Sequence, residues 1–138
     1  MTIDKSRLPS YLLRIIVIII LLAHSLPGML DGGVHAFGQY FLDEAGFKPY
    51  GVPLACAIKL SHLLCALLIL INRWVIPACL LTIVVLMAGI IMVHGKEGWF
   101  VVGGGRNGME FNVLLIFVLS SIALDHGFRC RKEGVARS

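Results

Sequence analysis

The sequence predicts an all-α integral membrane protein, a four-helix bundle with a short interfacial helix between the first and second spans. Its composition, the length of its apolar runs and the placement of its charges all favour this fold class. Of the 138 residues, 58% are hydrophobic and 14% are charged, and the mean hydropathy is +0.89. A soluble domain of this size cannot bury so much apolar surface, because its surface-to-volume ratio is too high. Lipid is therefore the expected solvent for most of the chain.

Four apolar runs are long enough to cross a bilayer as helices. A hydrocarbon core about 30 Å thick requires about 20 helical residues, which rise about 1.5 Å each. The predicted spans cover residues 12–30, 52–71, 75–93 and 109–128. They form a single membrane domain over residues 1–138, which ends in a basic tail at residues 129–138.

The first span imitates a secretory signal peptide. Lys5, Arg7 and Arg14 lead into an apolar run that reaches the small-residue sequence Ala-His-Ser. The apolar stretch nevertheless continues through Met29 and Leu30, and three further spans follow. The sequence therefore favours a retained first anchor.

The segment between spans one and two, "DGGVHAFGQYFLDEAGFKPYG", predicts the interfacial helix. Val34, Phe37, Tyr40 and Phe41 recur at helical spacing, and glycine or proline marks both ends. Between spans three and four, the glycine-rich "HGKEGWFVVGGGRNG" predicts a flexible outer loop. It is not a phosphate loop, because no Gly-Lys-Ser/Thr follows and no strand precedes it.

The distribution of lysine and arginine predicts the orientation. Cytoplasmic loops retain an excess of these residues. One side of the membrane would hold eight of them, namely Lys5, Arg7, Arg14, Arg73, Arg129, Arg131, Lys132 and Arg137. The other side would hold three, Lys48, Lys96 and Arg106. Both termini are therefore expected in the cytoplasm, and the net charge of +4 gives no reason to expect nucleic acid as a partner.

Cysteine spacing indicates neither a disulfide framework nor a metal site. Cys56 and Cys65 fall on span two, Cys79 on span three and Cys130 in the tail. No Cys-x-x-Cys pair and no zinc-ligand spacing occurs. We expect small buried residues and no bound metal.

Span two contains two ionisable residues, Lys59 and His62, inside an apolar run. A lysine near the centre of a membrane helix costs about 3 kcal/mol, so its side chain should face the bundle, a partner or a water pocket. Residues 55, 56, 59, 62 and 66 share one helical stripe of small and ionisable side chains. That stripe is the predicted buried face of the helix.

Three further polar residues are expected near Lys59 and His62, because they lie at a similar depth along their own helices. From the outer ends, His24 should lie about 9 Å deep, Lys59 about 10 Å and His62 about 15 Å. His94 closes span three and Glu110 opens span four. The candidate intramembrane polar site is therefore His24, Lys59, His62, His94 and Glu110, in which Glu110 is the expected ion-pair partner of Lys59.

The order of these features resembles the DoxX family of small four-helix bacterial membrane proteins. The resemblance rests on "LAHSLPGMLDGG", "ACAIKLSHLLCALLILINRW" and "MVHGKEGWFVVGGGRNGMEFNVLLIFVLSSIAL", and it covers nearly the whole chain. Three positions depart from the family pattern. Ser25 stands where a glycine is expected, Gly28 where a lysine is expected and His62 where a glutamate is expected.

The resemblance implies a bacterial inner-membrane protein, a small subunit associated with quinone-linked redox or oxidative-stress membrane complexes. In such a subunit, His24 or His62 would hydrogen-bond a quinone carbonyl and Lys59 would stabilise developing negative charge. The sequence contains no flavin motif or iron–sulfur ligand set, and its histidines have no haem-specific spacing, so electrons would come from a protein partner. The alternatives are a non-catalytic scaffold or homo-oligomeric interaction subunit, and a small-solute or proton carrier.

Overall fold

The computed structural model describes residues 7–102 and 107–135, with side chains as far as residue 132. These residues form helices and connecting turns, and no strand occurs among them. In chain order they are α1 Leu8–Leu30, α2 Gly33–Phe37, a π-helical segment Gly38–Phe47, α3 Gly51–Leu70, α4 Val75–Met92, a 3-10 turn His94–Glu97 and α5 Glu110–Val135. The predicted all-α fold class is confirmed. The triple glycine of the predicted outer loop, with Lys5, Arg106 and Arg137, lies outside the described residues.

Four of these helices are long and apolar enough to cross a membrane. They are α1, α3, α4 and the part of α5 from Glu110 to Lys132, and their mean hydropathy ranges from 1.7 to 2.7. Large apolar side chains cover their outward faces, including Val84, Ile91 and Phe117, all of which are exposed. So much exposed apolar surface fits contact with lipid tails. The chain is therefore a multi-pass membrane protein in its architecture.

The first and last spans are longer than predicted. α1 begins at Leu8, four residues before the predicted start, with proline in its first turn, where a missing N–H has no consequence. α5 continues through Val135, so Arg129 to Lys132 lie on a helix and not in an extended tail. Asp125 and Arg129 form an ion pair at 2.9 Å one turn apart, which helps to extend the helix.

The four long helices enclose one apolar core. α1 packs on α3, α3 on α4, α4 on α5, and α5 returns to α1, which closes the ring. Buried core residues come from every helix, among them Val17, Leu21, Ile69, Leu86 and Leu119. Cys65 and Cys79 are buried in the same core, as expected for small apolar residues, and Cys56, Cys65, Cys79 and Cys130 are all free thiols.

A helical segment connects α1 to α3, as predicted, but it presents a different apolar face. Val34 is buried, and the rings of Phe37 and Phe41 stack with centroids 5.3 Å apart. Tyr40 was expected on the same face, yet it is 72% exposed and Leu42 is buried in its place. The reason is the π-helical winding, whose i to i+5 hydrogen bonds rotate successive side chains by less than an α-helix does.

Candidate functional site

The first part of the candidate site is the turn of α1 that contains Pro27, near the end of the helix. Pro27 lies inside the helix and has no N–H, so the carbonyl of Ala23 loses its helical donor. On the next residue, the carbonyl oxygen of His24 accepts a hydrogen bond of 2.9 Å from Lys59 Nζ. Gly28 lies beside this crossing, since a Cβ at that position would make an ordinary contact of 3.9 Å with Lys59 Cε. Lys59 therefore reaches from α3 to the proline turn of α1.

The second part is a pair of histidines between the same two helices. The rings of His24 and His62 meet edge to face, with centroids 5.6 Å apart and planes at 61°. His62 is only 2% exposed, whereas His24 is exposed. We call His24, Lys59 and His62 the His–Lys cluster. It contains three of the five residues predicted for the polar site.

Two side chains at this level are buried without hydrogen-bond partners. Within the described chain, neither ring nitrogen of His62 has a partner, and neither does Ser25 Oγ. A neutral imidazole has one donor and one acceptor nitrogen, so His62 leaves both functions unused. Each unsatisfied buried polar group costs about 1–3 kcal/mol, and such groups in native proteins usually serve a water, an ion or a ligand. The unpartnered nitrogens of His62 therefore mark a place where a ligand could bind.

The face of α3 that carries the cluster is the predicted stripe. Ala55, His62 and Ala66 are buried, and Cys56 and Lys59 are partly buried. Small residues on both sides of the polar pair allow α1 to approach closely. The close approach explains how Lys59, on the neighbouring helix, can reach a backbone oxygen of α1.

His94 lies beyond the end of α4 and fixes the loop that follows. Its Nδ1 donates a hydrogen bond of 2.7 Å to the backbone oxygen of Asn107. A Cβ at Gly89 would lie 3.8 Å from His94 Cδ2 and 3.7 Å from the side-chain nitrogen of Asn112. Asn112 is 91% buried and was not predicted, because a lone asparagine at the start of an apolar run carries no motif. His94 therefore hydrogen-bonds to a loop residue, although it was predicted to belong to the intramembrane polar site.

Glu110 also has a different role from the one predicted. Its carboxylate accepts a hydrogen bond of 3.0 Å from the backbone N–H of Val101, and its own N–H donates to the Trp99 oxygen at 3.0 Å. Glu110 thus closes the loop before α5, and the expected ion pair with Lys59 is not formed. Each residue finds a nearer backbone partner: the loop supplies an N–H to Glu110, and the proline turn supplies a carbonyl to Lys59.

The opposite end of the bundle holds a buried arginine that was counted only as a topological charge. Arg14 is 93% buried, and its Nη1 donates a 2.6 Å hydrogen bond to Asn72 Oδ1 in the turn between α3 and α4. Ser10 donates to Asp125 at 2.7 Å beside it. An arginine at the start of an apolar run is normal at a membrane interface, so no sequence pattern indicated that it would be enclosed.

The chemistry of the His–Lys cluster is that of a hydrogen-bonding site with one cation. No group of three histidine, cysteine or acidic residues within the described residues could hold a metal ion. No protein-family model, no curated protein and no solved structure matches this chain. The resemblance to the DoxX family therefore stays a prediction based on its motifs.

Proposed function

We propose that this chain is a DoxX-like membrane subunit that binds the head group of a quinone between α1 and α3, as part of a redox complex. The observation that carries this proposal is the buried ring of His62, whose two nitrogens have no partner in the described chain. A quinone carbonyl is an acceptor that a histidine N–H can satisfy. Ser25, beside His24 in the chain, offers a second unpartnered group, a hydroxyl.

The surroundings of the cluster suit a ligand that arrives through lipid. His24 is exposed, while His62, which its ring contacts, is buried. A head group that enters beside the His24 ring would reach His62 from the bilayer. Small ligand sites are mostly apolar with a few placed polar groups, and this part of the bundle has that composition.

Each residue of the cluster would have a distinct role. A bound quinone supplies the capacity to carry two electrons and two protons. His62 would donate a hydrogen bond to one oxygen, and the Lys59 ammonium would stabilise negative charge that develops there. His24 touches both, since its ring meets His62 and its carbonyl holds Lys59, so it would position the pair. Electrons would come from a partner protein.

The quinone proposal is tested by retention of quinone during purification. The protein is incubated with a ubiquinone or menaquinone analogue, separated from excess by gel filtration, and extracted for quantification. We expect the wild type to retain quinone and His24→Ala to retain at least about tenfold less, which corresponds to about 1.4 kcal/mol. His35→Ala is the matched control, since His35 is an exposed histidine on α2, away from the cluster. Both variants should keep the helix content of the wild type.

Two results would contradict the proposal. If a well-folded His24→Ala variant retained as much quinone as His35→Ala, the His–Lys cluster would not be the binding site. If the wild type retained no quinone, the redox function would be wrong. The chain would then be better explained as a scaffold subunit whose polar stripe sets the register of α1 against α3.

We also propose that the protein lies in the bacterial inner membrane with both termini in the cytoplasm. Four of the described basic residues lie at one end of the bundle: Arg7 just before α1, Arg14 on α1, Arg73 in the turn after α3, and Arg129 on α5. Lys48 and Lys96 lie at the other end, before α3 and after α4. The end that carries the four arginines should remain in the cytoplasm, because segments rich in lysine and arginine are retained on that side of the membrane.

A pair of fusions tests this orientation. Green fluorescent protein fused after Ser138 should fluoresce, because it matures in the cytoplasm, and alkaline phosphatase inserted after Glu97 should be active, because it folds in the periplasm. The control exchanges the two reporters and should silence both. An active phosphatase after Ser138 would reverse the proposed orientation.

A further inference from the structure

A cavity lies at the end of the bundle opposite the π-helical segment, between α1, α3 and α5. Its volume is about 320 Å³, which is within the usual range of small-molecule pockets. The polar part of its lining consists of Arg7, Tyr11, Arg14, Asn72, His126 and Arg129. The rest of the wall is mainly apolar and includes Ile15, Ile18, Ile69 and Leu70. None of these residues belongs to the His–Lys cluster.

The described side chains beside this cavity carry more positive than negative charge. The guanidinium groups of Arg14 and Arg129 line it, and the nearby carboxylate of Asp125 is engaged by Arg129 at 2.9 Å and by Ser10 at 2.7 Å. Arg14 is held by the side-chain oxygen of Asn72, which is neutral. Asp125 is also close enough to Arg14 to interact with its charge, so among the described side chains one carboxylate faces the two cations Arg14 and Arg129. These side chains therefore leave an excess of positive charge beside a cavity that is partly open.

Arg14 is the group that most requires an anion. It is 93% buried, and a buried cation is costly unless it is paired and hydrogen-bonded. A guanidinium has five N–H donors in a planar fork, of which Asn72 takes one. The oxygens of a phosphate match this fork, which is why arginine is favoured at phosphate sites.

The apolar wall distinguishes a lipid from a free phosphate. Ile15 and Leu70 line the cavity and are also more than half exposed on the outer surface of their helices. The cavity thus connects the guanidinium groups of Arg14 and Arg129 with an apolar surface that would lie against lipid tails. An amphiphile with an anionic head group would contact both the arginines and the apolar wall, whereas inorganic phosphate would contact only the arginines.

We propose that this cavity is a binding site for an anionic glycerophospholipid, in which Arg14 and Arg129 hold the phosphate and an acyl chain runs along Ile15 and Leu70. The lipid would link α1, α3 and α5 at the end of the bundle where they converge. This site is independent of the quinone proposal, because it lies at the opposite end of α1 and α3 and shares no residue with the cluster.

The proposal is tested by native mass spectrometry of the full chain, purified in a mild detergent and exchanged against defined lipids. We expect at least about tenfold more retained phosphatidylglycerol than phosphatidylcholine, because the latter's head group has no net charge. Arg14→Gln should reduce phosphatidylglycerol retention about tenfold, since charge-assisted bonds are about twice as strong as neutral ones. The matched control is Arg73→Gln, which removes an exposed arginine that does not line the cavity. It should leave retention unchanged.

Competition with soluble phosphates distinguishes a lipid site from a site for free phosphate. Glycerol phosphate and inorganic phosphate, added at the same concentration, should not displace the lipid or raise the thermal stability of the protein. If they did so as well as the lipid, the site would bind free phosphate and the lipid proposal would be overturned. Equal retention of the two phospholipids by the wild type would also overturn it, and that comparison requires no variant to fold. An equal loss in Arg14→Gln and Arg73→Gln would show surface attraction only.

Discussion

Gly51→Ala is expected to destabilise the protein by about 2–4 kcal/mol, through overpacking and loss of a helix cap. Gly51 opens α3, and its N–H donates a 2.9 Å hydrogen bond to Asp43 Oδ1 in the π-helical segment. A Cβ at this position would collide with the backbone oxygen of Gly38 and lie 2.9 Å from Asp43 Cγ. The reverse approach is equally close, since a Cβ on Gly38 would lie 2.5 Å from Val52 Cα. Alanine must therefore separate the two segments.

The Gly51→Ala substitution would remove two stabilising interactions at once, both of them made by Asp43. The first four N–H groups of a helix have no partner inside the helix, and Asp43 satisfies one of them. Its negative charge also lies at the positive end of the helix dipole. Displacing Asp43 leaves that N–H unpaired and loosens the packing of the π-helical segment on α3.

This stability can be measured as the loss of helix content during titration with a denaturing detergent. Gly127→Ala is the control, because that glycine is inside α5 and a Cβ would meet Ile76 Cδ1 at an ordinary 3.6 Å. It should be neutral or more stable by up to about 1 kcal/mol, the difference in helix propensity. If Gly51→Ala unfolded with the control, the close packing of the π-helical segment on α3 would be wrong.

The spans could be predicted from the sequence because membrane insertion depends on local composition. About 20 apolar residues in a row fix both the helix and its environment, with little influence from the rest of the chain. The ends were less accurate, because α5 continues into a basic stretch that is polar yet favourable for helix. The exposed position of Tyr40 was missed for a related reason, since its π-helical winding follows from packing on α3 and not from residue spacing.

The hydrogen-bond partners of Lys59 and Glu110 could not be predicted, because they depend on distances between helices in the folded protein. The sequence placed Lys59 and Glu110 at a compatible depth, but depth along a helix gives no rotation about it or distance between helices. Lys59 instead meets a carbonyl beside Pro27, and Glu110 meets a loop N–H. The burial of Arg14 was missed for the same reason, since enclosure requires α1, α3 and α5 to converge. His24, Lys59 and His62 were predicted together because they share a level on two adjacent helices.

His62→Leu is expected to stabilise the quinone-free protein by about 1–2 kcal/mol, since it removes a buried polar ring that has no partner. Leucine has a similar volume, so the substitution should leave little cavity or strain between α1 and α3. The control is Thr82→Val, which removes another fully buried polar group. Its hydroxyl is satisfied, donating 3.1 Å to the Ala78 oxygen within α4, so its removal should not stabilise the protein.

The same variant should respond differently once a ligand is added. Binding to the folded state alone stabilises it by about 2.7 kcal/mol at a ligand concentration 100 times Kd. Quinone should therefore stabilise the wild type and Thr82→Val but leave His62→Leu unchanged, so that the order of stability reverses in the presence of the ligand. Such a reversal is expected when a residue is kept for binding at the expense of stability. If His62→Leu were instead less stable than the wild type without quinone, the imidazole would have a structural role, and its nitrogens would not mark a ligand site.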